Sequence, residues 1–148
     1  MEFPLLLDDQ PAPRLKVYSN ESAIAEKFQS LVKLNILTSR IKDIYDILFL
    51  ASHQPFQIHH LRNAILKTFK RRGTPIEDRK FIFTSEFRSS REKQTQWTAF
   101  LRRSHLESYK TFDKAIDHLE LFLEPVCSRG SLLPVDRLTW NSEKWTWK

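Results

Sequence analysis

Residues 20–50 read NESAIAEKFQSLVKLNILTSRIKDIYDILFL, and this stretch decides the fold class. On a helix at about 100° per residue, Ile41, Ile44, Tyr45 and Leu48 share one face. Asp43 and Asp46 stand on another, three residues apart, so their carboxylates are neighbours. Leu50 is the next turn of that carboxylate face, and Ile47 flanks it. A helix apolar almost all round is a buried helix. Its carboxylates need partners, because an unpaired interior charge is costly. Lys42 reaches Asp46 at i,i+4, and Arg40 precedes the helix. Lys27, one helix earlier, borders the stripe Ile24, Phe28, Leu31. Either these charges are an ion-pair network that fixes two helices together, or they are a site. Both readings require Lys27, Asp43 and Asp46 to meet across facing helices.

Working outward, Pro4, Pro11 and Pro13 forbid a helix at the start, and Arg14–Tyr18 alternates like a strand. Ser19 or Asn20 caps a first helix over about 20–34, and Ser39 is placed to cap a second over 40–52. After Pro55 a third helix runs over 58–72, with Ile58, Leu61, Ile65, Leu66 and Phe69 inward. Gly73 stands at its C′ position and Thr74-Pro75 stops it. Residues 73–88 read as loop, although Phe81, Ile82 and Phe83 must find cover. A fourth helix over 90–104 turns Trp97, Phe100 and Leu101 inward. A fifth over 111–124 buries Phe112, Ala115, Ile116, Leu119, Phe122 and Leu123, and Pro125 ends or kinks it. The expectation is a mainly α fold, a bundle of about five helices behind a short extended segment. It divides as 1–18 extended, 19–128 helical and 129–148 a tryptophan-bearing tail. Trp140, Trp145 and Trp147 can stack on bases or pin the tail to the body, and pinning is the commoner use of aromatics near a terminus.

Composition narrows the function classes. The chain has 148 residues, enough for one cored domain, and its 41% hydrophobic content is that of a globular protein. No apolar run reaches the roughly 18 residues of a membrane span. MEFPLLLDDQ lacks the basic start of a signal peptide, so a cytoplasmic location is expected. A single cysteine, Cys127, excludes an internal disulfide and a Cys-based zinc site. His59-His60 cannot converge on one metal from adjacent helical positions, so no metal site is expected from them. No Ser-His-Asp set, P-loop or Gly-rich dinucleotide turn is present.

The net charge of +6 is unevenly placed. No acid lies between Asp46 and Glu77, while Arg62, Lys67, Lys70, Arg71 and Arg72 all do. Such an excess suits an anionic partner such as RNA, or else a solvated helix end favoured by the macrodipole. The expectation carried forward is an exposed RNA-binding patch.

The run Ala23–Ile47 resembles the signature of the AbiEii/AbiGii toxin family, nucleotidyltransferase-like proteins of type IV toxin–antitoxin and abortive-infection systems. The resemblance rests on Ala25-Glu26-Lys27-Phe28 followed by Arg40-Ile41-Lys42-Asp43-Ile44-Tyr45-Asp46, with similar text in KVYSNESAIAEK, FKRRGTPI and QTQWTAFLRR. It runs from about Pro11 to about Val126. It implies transfer of a nucleotide from a nucleoside triphosphate, with Mg2+, to an RNA acceptor such as the 3′ end of tRNA, and a cognate antitoxin. It also implies roles. Lys27, Asp43 and Asp46 are the catalytic candidates, with Arg40 and Lys42 binding or orienting the nucleotide. Family members begin with a nucleotidyltransferase core bearing a Gly-Ser motif and a carboxylate pair. Here Gly73 and Gly130 are the only glycines, and neither is followed by that pattern. The expectation is therefore the C-terminal half of such an α/β protein, its core missing, inactive alone and holding no cofactor by itself. The alternative is a non-enzymatic helical module that binds RNA or an antitoxin, or a decayed remnant.

Overall fold

The computed structural model describes residues 19–128 and 137–148. The expected extended segment 1–18 and the start of the tail, 129–136, lie outside them. Six α-helices occur among the described residues: α1 (Asn20–Leu34), α2 (Lys42–His53), α3 (Ile58–Arg71), α4 (Ser85–Arg88), α5 (Arg91–Arg103) and α6 (Phe112–Cys127). Two 3-10 segments, Asn35–Leu37 and Ile76–Phe83, and two short strands, β1 (Trp140–Asn141) and β2 (Thr146–Trp147), complete them. The protein is mainly α, with more helical segments than the five read from periodicity.

The five long helices fall within a few residues of their expected bounds because the local signals agree. The Ser19, Ser90 and Thr111 hydroxyls accept from the Ser22, Lys93 and Lys114 amides and so cap α1, α5 and α6. Ser39 does not cap α2. That helix starts later, at Lys42, with no side-chain cap. Instead the buried Thr38 hydroxyl accepts from the Arg40 amide at 3.0 Å and shapes the loop before the helix. At the end of α3, Gly73 takes φ +68°, and its amide bonds the Lys70 carbonyl. The Thr74 amide bonds the Phe69 carbonyl at 2.9 Å, which completes a Schellman turn. α6 runs through Pro125 to Cys127. The missing proline donor faces solvent there, since Leu121, whose carbonyl it would serve, and Pro125 are both exposed.

α1 packs chiefly on α3 and then on α2, while α2, α3 and α5 all pack on α6. The common core is formed by Ile24, Phe28, Ile44, Leu48, Leu61, Trp97, Leu119 and Phe122 among others, all at most 1% exposed. Burying side chains of this size stabilises by about 1.5–3 kcal/mol each. Leu66, expected inward on α3, is 41% exposed.

Within 73–88, expected as loop, Ile76–Phe83 and Ser85–Arg88 are helical. Buried Arg79 grips Glu124 of α6 with two bonds, of 2.8 and 3.0 Å, and donates to the Ile76 carbonyl. The hydrogen bond to Glu124 raises the Arg79 pKa further above its ordinary value. That grip winds Ile76–Phe83 over the core, with Ile82 fully buried and Phe81 and Phe83 packed against it. Thr84 then caps α4. Beside Glu124, Cys127 is half-buried, and burial pushes its thiol up to about 12.

The tail is pinned. β1 and β2 pair antiparallel, Trp140 opposite Trp147. The Trp140 indole donates to the Ala51 carbonyl, Trp145 to that of His118 and Trp147 to that of Phe122, all at 2.8–2.9 Å. The Trp147 ring stacks on Phe122 at 5.8 Å between centroids.

Candidate functional site

The charged residues of the opening stretch converge where α1 faces the start of α2. Lys27 lies one residue before fully buried Phe28, so its ammonium emerges at the edge of the α1–α2 seam. There it sits 3.6 Å from Asp43 Oδ1 and 3.2 Å from Asp46 Oδ2. Arg40 Nε donates to Asp43 Oδ2 at 3.0 Å, and Lys42 bonds both Asp46 oxygens at 2.9–3.0 Å. Lys27, Asp43 and Asp46 therefore meet as spacing required, with Arg40 and Lys42 as outer partners.

Burial grades across the cluster. The Asp43 side chain is 5% exposed, Asp46 21%, Lys27 29% and Arg40 59%. The carboxylates form the floor and the cations reach toward solvent. Lys27 and Arg40 also line an open cleft of about 500 Å³, together with Ala23, Glu26, Ser30 and Arg72. Among the described residues, three cations and one carboxylate stand around this cleft, a set that suits a multiply charged anion.

The same carboxylates are not free metal ligands in this structure. Each is already held by two cations. Among the described residues no three His, Cys, Asp or Glu side chains gather as a metal site. The adjacent rings of His59 and His60 lie 4.1 Å apart, with no such set around them.

Of the basic residues after Asp46, Lys67, Lys70, Arg71 and Arg72 are exposed and Arg62 is not. Arg62 is buried and donates to the Val126 carbonyl at 2.9 Å, so it serves the α3–α6 contact. It stands on the inward face with Leu61, Ile65 and Phe69, which the charge count disregards. Lys67 and Lys70 are exposed. Arg71 and Arg72 both pair with Glu26 of α1, the latter at 2.8 Å, and this brings Arg72 into the cleft.

Lys93 is a residue that sequence reading passed over. It is 1% exposed, and its ammonium donates to the Thr38 carbonyl and to Gln96 Oε1. It thereby ties α5 to the loop that carries Arg40. Its spacing from Trp97 and Phe100, four and seven residues, puts it on the inward stripe of α5, and that was the available signal. Ser30 had no comparable signal, and Glu26 was marked only as part of the Ala25–Phe28 motif.

A family model described as "Nucleotidyl transferase AbiEii toxin, Type IV TA system" matches residues 1–118. No curated protein matches the chain, and no solved structure does.

Proposed function

The chain belongs to the AbiEii toxin family, and we propose that its α1–α2 cleft binds the triphosphate of a nucleotide destined for an RNA acceptor, such as the 3′ end of a tRNA. Membership makes it a nucleotidyltransferase-like toxin of a type IV system, which implies a cognate antitoxin. The observation that carries the proposal is the position of Lys27. It joins both aspartates and at the same time lines the cleft beside Arg40.

Phosphoryl chemistry needs cations on the phosphates and a group to take the proton of the attacking hydroxyl. Lys27 and Arg40 supply the cations. Asp46, steadied by Lys42, keeps Lys27 aimed. Asp43 holds Lys27 and Arg40 through separate oxygens. When phosphate takes up those cations, an Asp43 oxygen is released to accept the hydroxyl proton. In an intact family member the acceptor oxygen then bonds the α-phosphorus as the bond to the departing pyrophosphate breaks. Lys67 and Lys70, exposed on α3, are the RNA contacts that remain from the basic stretch.

A purely structural latch between α1 and α2 would show the same ion pairs, and nucleotide binding separates the two. Lys27→Ala and Arg40→Ala should each weaken ATP, CTP, GTP or UTP binding in calorimetric titrations by about ten- to a hundredfold. That corresponds to one charge-assisted hydrogen bond of about 1.5–3 kcal/mol. Folded variants that bind every nucleotide as the parent does would assign the cluster to packing.

A further inference from the structure

We infer that Arg72 is a third phosphate-binding cation of the α1–α2 cleft, and that Glu26 is a built-in anion competing with the ligand for it. The inference rests on the reading of the cleft as a triphosphate site and adds the device that sets its affinity.

Arg72 reaches the cleft from a different direction than Lys27 and Arg40. It is the C-cap of α3, followed by the left-handed Gly73 of the Schellman turn. The next residue, Thr74, accepts through its hydroxyl from Gln29 Nε2 at 2.8 Å, and Gln29 is only 1% exposed on α1. The turn that presents Arg72 is thus locked to the helix that bears Lys27. Cations at a helix C-terminus are also favoured there by the macrodipole. Arg72 therefore has a fixed backbone and a half-exposed guanidinium, 50% accessible, at the cleft wall.

Among the described residues, Glu26 is the one acid that lines this cleft. Its two oxygens are divided, one to Arg72 and the other to Arg71. A carboxylate and a phosphate present the same acceptors to a guanidinium fork. Glu26 therefore takes the bonds that a phosphate would need, and its charge repels the same ligand. Arg71 does not line the cleft, so the two arginines should differ in their effect on binding although both pair with Glu26.

The test is titration with inorganic tripolyphosphate at low salt, which reads phosphate recognition without a base. Glu26→Gln should tighten binding roughly threefold to tenfold, the scale of a half-exposed charge pair plus a removed repulsion. Arg72→Ala should weaken it about tenfold, and Arg71→Ala by less than about twofold. Circular dichroism identifies variants that fail to fold. Arg72→Lys, which keeps the charge but loses the fork, then substitutes for the alanine and should weaken binding in part. If Glu26→Gln leaves binding unchanged or weaker, or if the Arg72 variants bind as the parent does, the inference is overturned. If Lys27→Ala still weakens binding in that case, the triphosphate reading survives without it. Tightening by Glu26→Gln and weakening by Arg72→Ala, with Lys27→Ala silent, would uphold the Arg72 site and remove Lys27 from the reading.

Discussion

Lys93 shows how a single side chain can decide the geometry of a site it never touches. Its buried ammonium has a backbone carbonyl and an amide oxygen as partners, and the carbonyl belongs to Thr38. The Thr38 hydroxyl in turn takes the Arg40 amide, and Arg40 holds Asp43. Replacing Lys93 with Met keeps the apolar stem and strands the Thr38 carbonyl. Stability should fall by about 2 kcal/mol, measurable as a lower urea midpoint. Nucleotide affinity should fall too, because Arg40 loses its fixed loop. A midpoint that rises would mean the ammonium costs more to bury than its bonds return. The meeting of Lys27, Asp43 and Asp46 was legible in the sequence, since carboxylates on a buried helix oblige a partner. The roles of Glu26 and Arg72 were not. Two exposed-looking charges forty-six residues apart carry no periodic mark, and only the α1–α3 packing joins them.

Among the elements, periodicity and capping foretold the five long helices, and failure came where order is imposed from a distance. Ile76–Phe83 has no amphipathic period, and its order depends on the pairing of Arg79 with Glu124, forty-five residues away. The tail follows the same principle. Its strands are two residues each and could not stand alone in water. Three indole N–H bonds to α2 and α6 hold them. Trp140, 3% exposed and 4.7 Å from Phe122 between centroids, is the deepest of these anchors. Trp140→Ala should therefore cost about 3–5 kcal/mol in denaturant unfolding. Trp140→Phe, which removes the bond to Ala51 and part of the packed ring but keeps an aromatic anchor, should cost less, about 1.5–3 kcal/mol. Equal losses in both variants would show that the hydrogen bond, and not the ring, docks the tail.

At the scale of the whole molecule, two half-buried acids, Tyr109 and Cys127, should set the alkaline limit. Burial raises the Tyr109 pKa from 10.0 to about 12, with Tyr45 adding to the shift, and raises that of Cys127 from 9.0 to about 12. Both stay neutral in the folded state at a pH where the unfolded chain would ionise. Their contribution is complete below the unfolded values and is lost as pH climbs from about 9 toward 12. Urea midpoints should fall steadily across that window, and Cys127→Ala with Tyr109→Phe should flatten the fall. An equally steep decline in the double variant would place the sensitivity elsewhere. Cys127 has a second consequence. Thiolate, not thiol, is the form that alkylating reagents attack. A folded molecule at neutral pH should therefore be modified slowly, and faster labelling should report moments when the last turn of α6 comes apart. With one cysteine in the chain, the rate of that reaction is a clock for local opening, readable by mass alone and needing no engineered probe.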